Sequence, residues 1–305
     1  MNFNKKKITG FIAAPFTPMF EDGSVNVEVI AKYATKLKED GLSGVFINGT
    51  TGEGMLMSLC ERKQVAEAWL KHQSDNFHVI VHVGSTSVKQ SAELAAHAEV
   101  NGAFAVGCMG PCFLPPSTAS DLVRFCEEVA GACPNTPFYY YHMPATSNVT
   151  VSMLSFLELA EERISNLAGI KFTHNNLMEM RQCIQYKEGK FDILHGYDEI
   201  LLSGLAMGAK GGVGSTYNYI ASVYLSLRDA FEKGDIAEAQ RLQDISIKVV
   251  EVLIKYGGGV IAGKAIMNLI GIECGPCRAH LPYYGQDVLD NINKDLKEIG
   301  FYEIS

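Results

Sequence analysis

The sequence predicts an α/β protein built as a (β/α)8 TIM barrel with a C-terminal helical extension. Short β-branched or aromatic runs alternate with segments of helical periodicity, and the alternation repeats eight times within about 230 residues. Beyond residue 219 only helical segments follow. Strands that alternate with helices pair in parallel, and eight such units are what a closed barrel needs. The length of 305 residues alone leaves one large barrel or two ordinary domains open.

In chain order the strand candidates are GFIAAPF (10–16), SGVFING (43–49), FHVIVHVG (77–84), AFAVGCM (103–109), FYYYH (138–142), LAGIKFT (167–173), FDILHG (191–196) and GGVGST (211–216). Helical segments between them include VEVIAKYATKLKED, CERKQVAEAWLKHQ, SVKQSAELAAHAEVNG, SDLVRFCEEVAGAC, VSMLSFLELAEER and EILLSGLAMG. Ser58, with Glu61 three residues on, predicts a capping box at the start of the second helix, and Gly102 a stop after the third. YIASVYLSLRDAFEKG reads as the eighth barrel helix. DIAEAQRLQDISIKVVEVLIKYG, GKAIMNLIG and QDVLDNINKDLKEIG follow it, each closed near a glycine. No flexible linker intervenes, so residues 1–233 are expected to form the barrel and 234–305 a helical region packed on it.

Composition excludes several classes of function. With 47% apolar and 20% charged residues the chain is an ordinary globular protein, and its formal charge of −8 leaves no basic footprint for a phosphate backbone. The densest basic cluster is Lys5 to Lys7, so nucleic acid is not an expected partner. No apolar run approaches a membrane span, and the start lacks the apolar core and cleavage site of a secretory signal; a cytoplasmic protein without a membrane partner is expected. Eight cysteines scattered from Cys60 to Cys277 do not resemble a disulfide framework. CGPC at Cys274 to Cys277 has the spacing of thioredoxin-like redox sites. It follows a helical segment rather than a strand, which favours a loop turn built on Gly275 and Pro276.

Barrels of this kind place their chemistry at the C-terminal strand ends, which selects NGTTGEG, YHMP, KFT, GYDE and GST. Alternation along LAGIKFT turns Gly169, Lys171 and Thr173 one way and Ile170 and Phe172 toward the helices, so Lys171 points into the barrel. A buried lysine either pairs with an inward carboxylate or loses its proton and becomes a nucleophile able to form a Schiff base. Tyr139 and Tyr141 share one face of FYYYH, and only Tyr141 also lies at the strand end, where a phenol can pass protons in a dry site. The bland alternative for a strand tyrosine is packing. Thr50 and Thr51 lie in a glycine-rich turn at the head of a helix, suited to a carboxylate or simply a turn. Asp198 and Glu199 suit sugar hydroxyls, with helix capping open for Asp198, and Ser215 serves either way.

GTTGE, YYYHMPA, GIKFT, GYDE and GGVGSTYN, in this order, resemble the N-acetylneuraminate lyase (sialic acid aldolase) branch of the pyruvate-dependent class I aldolases, a superfamily that includes dihydrodipicolinate synthase. The resemblance runs from about residue 8 through the C-terminal helices and implies a homotetrameric barrel needing no metal or organic cofactor. It makes Lys171 the Schiff-base lysine and Tyr141 the proton-transferring phenol. Thr50 and Thr51 would hold the pyruvyl carboxylate, and Thr173, Gly196, Asp198, Glu199 and Ser215 the rest of a sugar acid. The expected reaction is reversible cleavage of N-acetylneuraminate to N-acetylmannosamine and pyruvate.

The chain departs from the synthases twice. Ala145 and Thr146 follow Pro144, where the synthases carry an arginine for a second carboxylate, and Phe113 stands where they carry a tyrosine that reaches a neighbouring subunit. Thr146 also stands where several lyases have a leucine. The nearest rival keeps the Schiff base and changes the aldehyde, as in dihydrodipicolinate synthase or a keto-deoxy sugar acid aldolase. A zinc site of His82, His142 and His195 is a further rival, disfavoured because His142 is opposite in parity to Tyr141 and no pair has ligand spacing. A non-catalytic regulatory barrel would leave Lys171 and Tyr141 without a use.

Overall fold

Eight short strands close into a barrel in sequence order, every neighbouring pair parallel. The computed structural model describes residues 7–304, and Lys5 and Lys6 of the basic cluster lie outside them. The barrel elements run β1 (Gly10–Ala13), α1 (Ile30–Glu39), β2 (Gly44–Ile47), α2 (Leu59–Leu70), β3 (His78–His82), α3 (Val88–Val100), β4 (Ala105–Met109) and α4 (Ala119–Gly131). They continue with β5 (Phe138–His142), the single turn α5 (Pro144–Ser147), α6 (Met153–Arg163), β6 (Leu167–Phe172), α7 (Leu177–Gln185), β7 (Asp192–His195), α8 (Leu201–Ala206), β8 (Gly211–Gly214) and α9 (Tyr217–Glu232). Then come α10 (Ile236–Lys255), α11 (Ile261–Leu269) and α12 (Gln286–Glu298). Among the described residues no helix is long and apolar enough to cross a membrane.

Alternation decides which core each strand residue joins. Phe138, Tyr140, Ile170 and Phe172 pack outward against the helices, while Tyr139, Tyr141, Phe46, Ile80 and Leu194 fill the barrel interior. Alternation is interrupted once along β6: Phe138 pairs with Leu167 and Tyr139 with Gly169, so β6 carries one extra residue there, and Leu167 and Ile170 both join the outer core. Above that bulge Tyr141 pairs directly with Lys171, which sets the two inward side chains on adjacent strands.

Local signals position the helices. Ser58 and Glu61 form the capping box, each satisfying the other's backbone N–H. Gly102 follows α3, and Gly234, Gly257, Gly271 and Gly300 follow the last four helices, all in the left-handed region that a helix stop uses. α10 packs along α9 and α8, which brings the C-terminal helices against the eighth unit of the barrel.

The CGPC segment is a loop. Gly275 has φ +63°, and its N–H and C=O are both bonded by the side chain of Asn268. All cysteines among the described residues are free, and burial pushes the Cys274 and Cys277 thiols up to about 12, the opposite of redox activation.

Candidate active site

Lys171 is 4% exposed, and its Nζ lies 4.1 Å from the ring centroids of both Phe46 and Tyr141. Gly107 on β4 makes room for this arrangement, because a Cβ there would sit 2.4 Å from the Phe46 ring. Among the described residues Nζ has no salt bridge and no hydrogen bond, so the ion-pair alternative for this lysine is not what the structure shows. Burial drives its pKa down to about 7, with Asp198 pulling weakly the other way. A substantial share of the amine is therefore neutral and nucleophilic near neutral pH.

Tyr141 is buried beside it. Its Oη is 3.4 Å from Thr50 Oγ1 and donates to Met143 Sδ at 3.0 Å. Burial pushes the phenol up to about 12, only partly offset by the Thr50 hydroxyl, so it stands protonated until something takes its proton.

For Asp198 the sequence leaves sugar binding and helix capping open, and the structure gives its carboxylate a different anchor. Its Oδ2 accepts from the N–H of Thr216 at 2.8 Å and from Thr216 Oγ1 at 2.7 Å, pinning the turn between β8 and α9. Behind it Thr216 Oγ1 lies 2.7 Å from Tyr224 Oη, and Gln243 on α10 donates to the Asp198 carbonyl at 3.1 Å. Oδ1 is left without a partner among the described residues, and burial raises the carboxyl to about 6. Its nearness to Gly214 leaves no room there for any side chain, since a Cβ would come within 1.8 Å of Oδ1.

The turn after β2 differs from its expectation. Thr50 and Thr51 precede a 3-10 turn at Gly54–Leu56 rather than the head of α2, which starts at Leu59. The amides of Glu53 and Gly54 are used internally, by the carbonyls of Thr50 and Gly49, while those of Thr50 and Thr51 have no acceptor among the described residues. What holds this turn is a buried ion pair: Glu53, at φ +55°, accepts from Lys264 of α11 at 2.8 Å with both side chains 1% exposed, and its other oxygen accepts from the N–H of Arg278 at 2.8 Å. Neither partner was singled out from the sequence, because they stand 211 positions apart.

Thr50, Thr51, Tyr141, Lys171, Thr173, Gly196, Asp198, Glu199 and Ser215 all line one cavity of about 310 Å³ at the C-terminal strand ends. Thr173 Oγ1 has no partner among the described residues, and Gly196 lies against it so closely that a Cβ would fall 2.0 Å from that oxygen. Sequence reasoning missed Met143, Thr216 and the wall that Leu253, Ile254 and Val260 contribute from α10 and the loop after it. YHMP and GST did contain the first two; nothing local pointed to the wall.

The histidines do not converge. His82 faces inward, donating through Nδ1 to Asn48 O at 2.9 Å while Nε2 accepts from the Met109 N–H at 3.3 Å. His142 packs outward against Phe172, and His195 outward near Met180. No group of three or more potential ligands that could hold a metal occurs among the described residues. Phe113 is 72% exposed on the loop after β4 and does not line the cavity.

Residues 7–299 match the Dihydrodipicolinate synthetase family. The N-acetylneuraminate lyases of Pongo abelii and Homo sapiens are each 42% identical over 305 residues, covering 99% of this chain and 95% of theirs. Among solved structures, the N-acetylneuraminate lyase of Proteus mirabilis superposes with a TM-score of 0.94 at 40% identity, over 97% of this chain and 100% of that one. That of Aliivibrio salmonicida gives the same TM-score and identity over 97% and 98%.

Proposed function

The chain belongs to the dihydrodipicolinate synthetase family, and from that premise we propose that it is a class I aldolase cleaving N-acetylneuraminate reversibly to N-acetylmannosamine and pyruvate. The observation that carries this reading is the pairing of a largely desolvated Lys171 with Tyr141 on adjacent strand ends. Open-chain substrate enters with its carboxylate on the free amides and hydroxyls of Thr50 and Thr51. Neutral Lys171 attacks the C2 ketone, water leaves, and the resulting iminium accepts the electron pair of the C3–C4 bond as it breaks.

That cleavage requires a proton to leave the C4 hydroxyl. A phenol held near 12 can accept it only while passing its own proton on, and the substrate carboxylate held beside Thr50 is the acceptor within reach. N-acetylmannosamine departs, the enamine is protonated at C3, and hydrolysis frees pyruvate and Lys171. Asp198 Oδ1, Glu199, Thr173 and Ser215 supply acceptors and donors for the sugar hydroxyls on the opposite wall. The iminium is the electron sink, so the chemistry calls for no metal or organic cofactor. The same reading takes the enzyme to be a cytoplasmic homotetramer.

Pyruvate with borohydride tests the assignment: a stable adduct on Lys171 is expected, and an adduct on another lysine would sink it. Condensation of pyruvate with N-acetylmannosamine, but not with aspartate semialdehyde, is expected. Ala145 and Thr146 after Pro144 offer no cation for a second carboxylate.

A further inference from the structure

Met143 follows β5 directly, and two hydroxyls of the site converge on its sulfur. Tyr141 Oη donates to Sδ at 3.0 Å, and Thr50 Oγ1 lies 3.6 Å from it. The side chain is half-buried and is the only sulfur among the residues that line the cavity. A thioether is a weak acceptor, so the phenol rests on a bond that an incoming oxygen of the substrate readily displaces. A sulfoxide in the same place is a different group: polar, larger by one oxygen, and a strong acceptor.

We propose that Met143 is an oxidation-sensitive modification site through which hydroperoxides suppress turnover, an inference that rests on the role given to Tyr141 above. The sulfur lone pair attacks the distal peroxide oxygen, the S–O bond forms as the O–O bond breaks, and the peroxide proton ends on the departing oxygen. The thioether loses two electrons and the peroxide is reduced to water or an alcohol. The new oxygen then takes the Tyr141 proton donor and fills the space beside Thr50 that a substrate carboxylate needs. Turnover falls about 100-fold at full oxidation, the lower end of what a proton-transferring group contributes.

The test treats the full-length enzyme with hydrogen peroxide, removes it with catalase, and measures lyase turnover alongside the sulfoxide content of each methionine by peptide mass spectrometry. Loss of turnover should track sulfoxide at Met143, not at Met178, which is 71% exposed and far more accessible. Methionine sulfoxide reductases should restore turnover. Whatever activity Met143→Leu or Met143→Ile retains should be unchanged by peroxide, whereas Met178→Leu should lose activity as the parent does. Turnover lost while Met143 stays unmodified, sulfoxide at Met143 without loss, or failure of the reductases to restore activity would each overturn the proposal. Absence of lyase turnover before any peroxide is added is a separate outcome, and it refutes the functional reading instead.

Discussion

Replacing Lys171 with methionine should abolish Schiff-base formation and make the protein more stable, by an amount that depends on pH. Lys171 titrates near 10.5 when unfolded and at about 7 in the folded chain, because burial disfavours the ammonium. Between those values the unfolded chain binds the extra proton, so stability rises with pH across that window, and below 7 the penalty is present in full. Working the two equilibria through, the lysine costs about 4 kcal/mol at pH 7 and about 2 kcal/mol at pH 9. Methionine is unbranched and of similar length, so it fills the space between Phe46 and Tyr141 without that cost. At about 2 cal/mol/K of unfolding entropy per residue, the expected rise in Tm is about 7 °C at pH 7 and about 3 °C at pH 9. Thermal unfolding of ligand-free parent and variant at both pH values measures it. A gap that is the same at pH 7 and pH 9, or a variant less stable than the parent, would refute the claim that Lys171 is held neutral by desolvation.

Three further outcomes follow from the site. Lys264→Met alone should cost about 3–5 kcal/mol by stranding buried Glu53, whereas adding Glu53→Gln should recover most of it, since glutamine still accepts from the Arg278 N–H; additive losses in denaturant titrations would contradict this. Tyr141→Phe should lower turnover about 100-fold, while the same change at Tyr140, which packs outward against Phe156, should leave it within about twofold in steady-state assays. The rate of pyruvate trapping by borohydride should rise with pH through a midpoint near 7 as Lys171 deprotonates. In Asp198→Asn that midpoint should move to lower pH, because the carboxylate that favours the ammonium is gone.

The sequence by itself determined the order of the elements, the parity of their side chains and the end of each strand that matters. That was enough to turn Lys171, Tyr141 and Thr173 toward one space, because alternation along a strand and periodicity along a helix are local properties written in consecutive residues. It was not enough for the turn at Thr50, whose helix-head reading gave way to a 3-10 turn, nor for Asp198, whose carboxylate is spent in part on Thr216. Only the tertiary structure decided that a bulge in β6 sets Lys171 beside Tyr141, that Lys264 pins Glu53, that α10 walls the cavity and that a methionine sulfur receives the phenol. Each of these is a meeting set by strand register, by rotamer choice or by residues far apart in the chain, and its energy comes from burial and pairing that exist only once the barrel has closed.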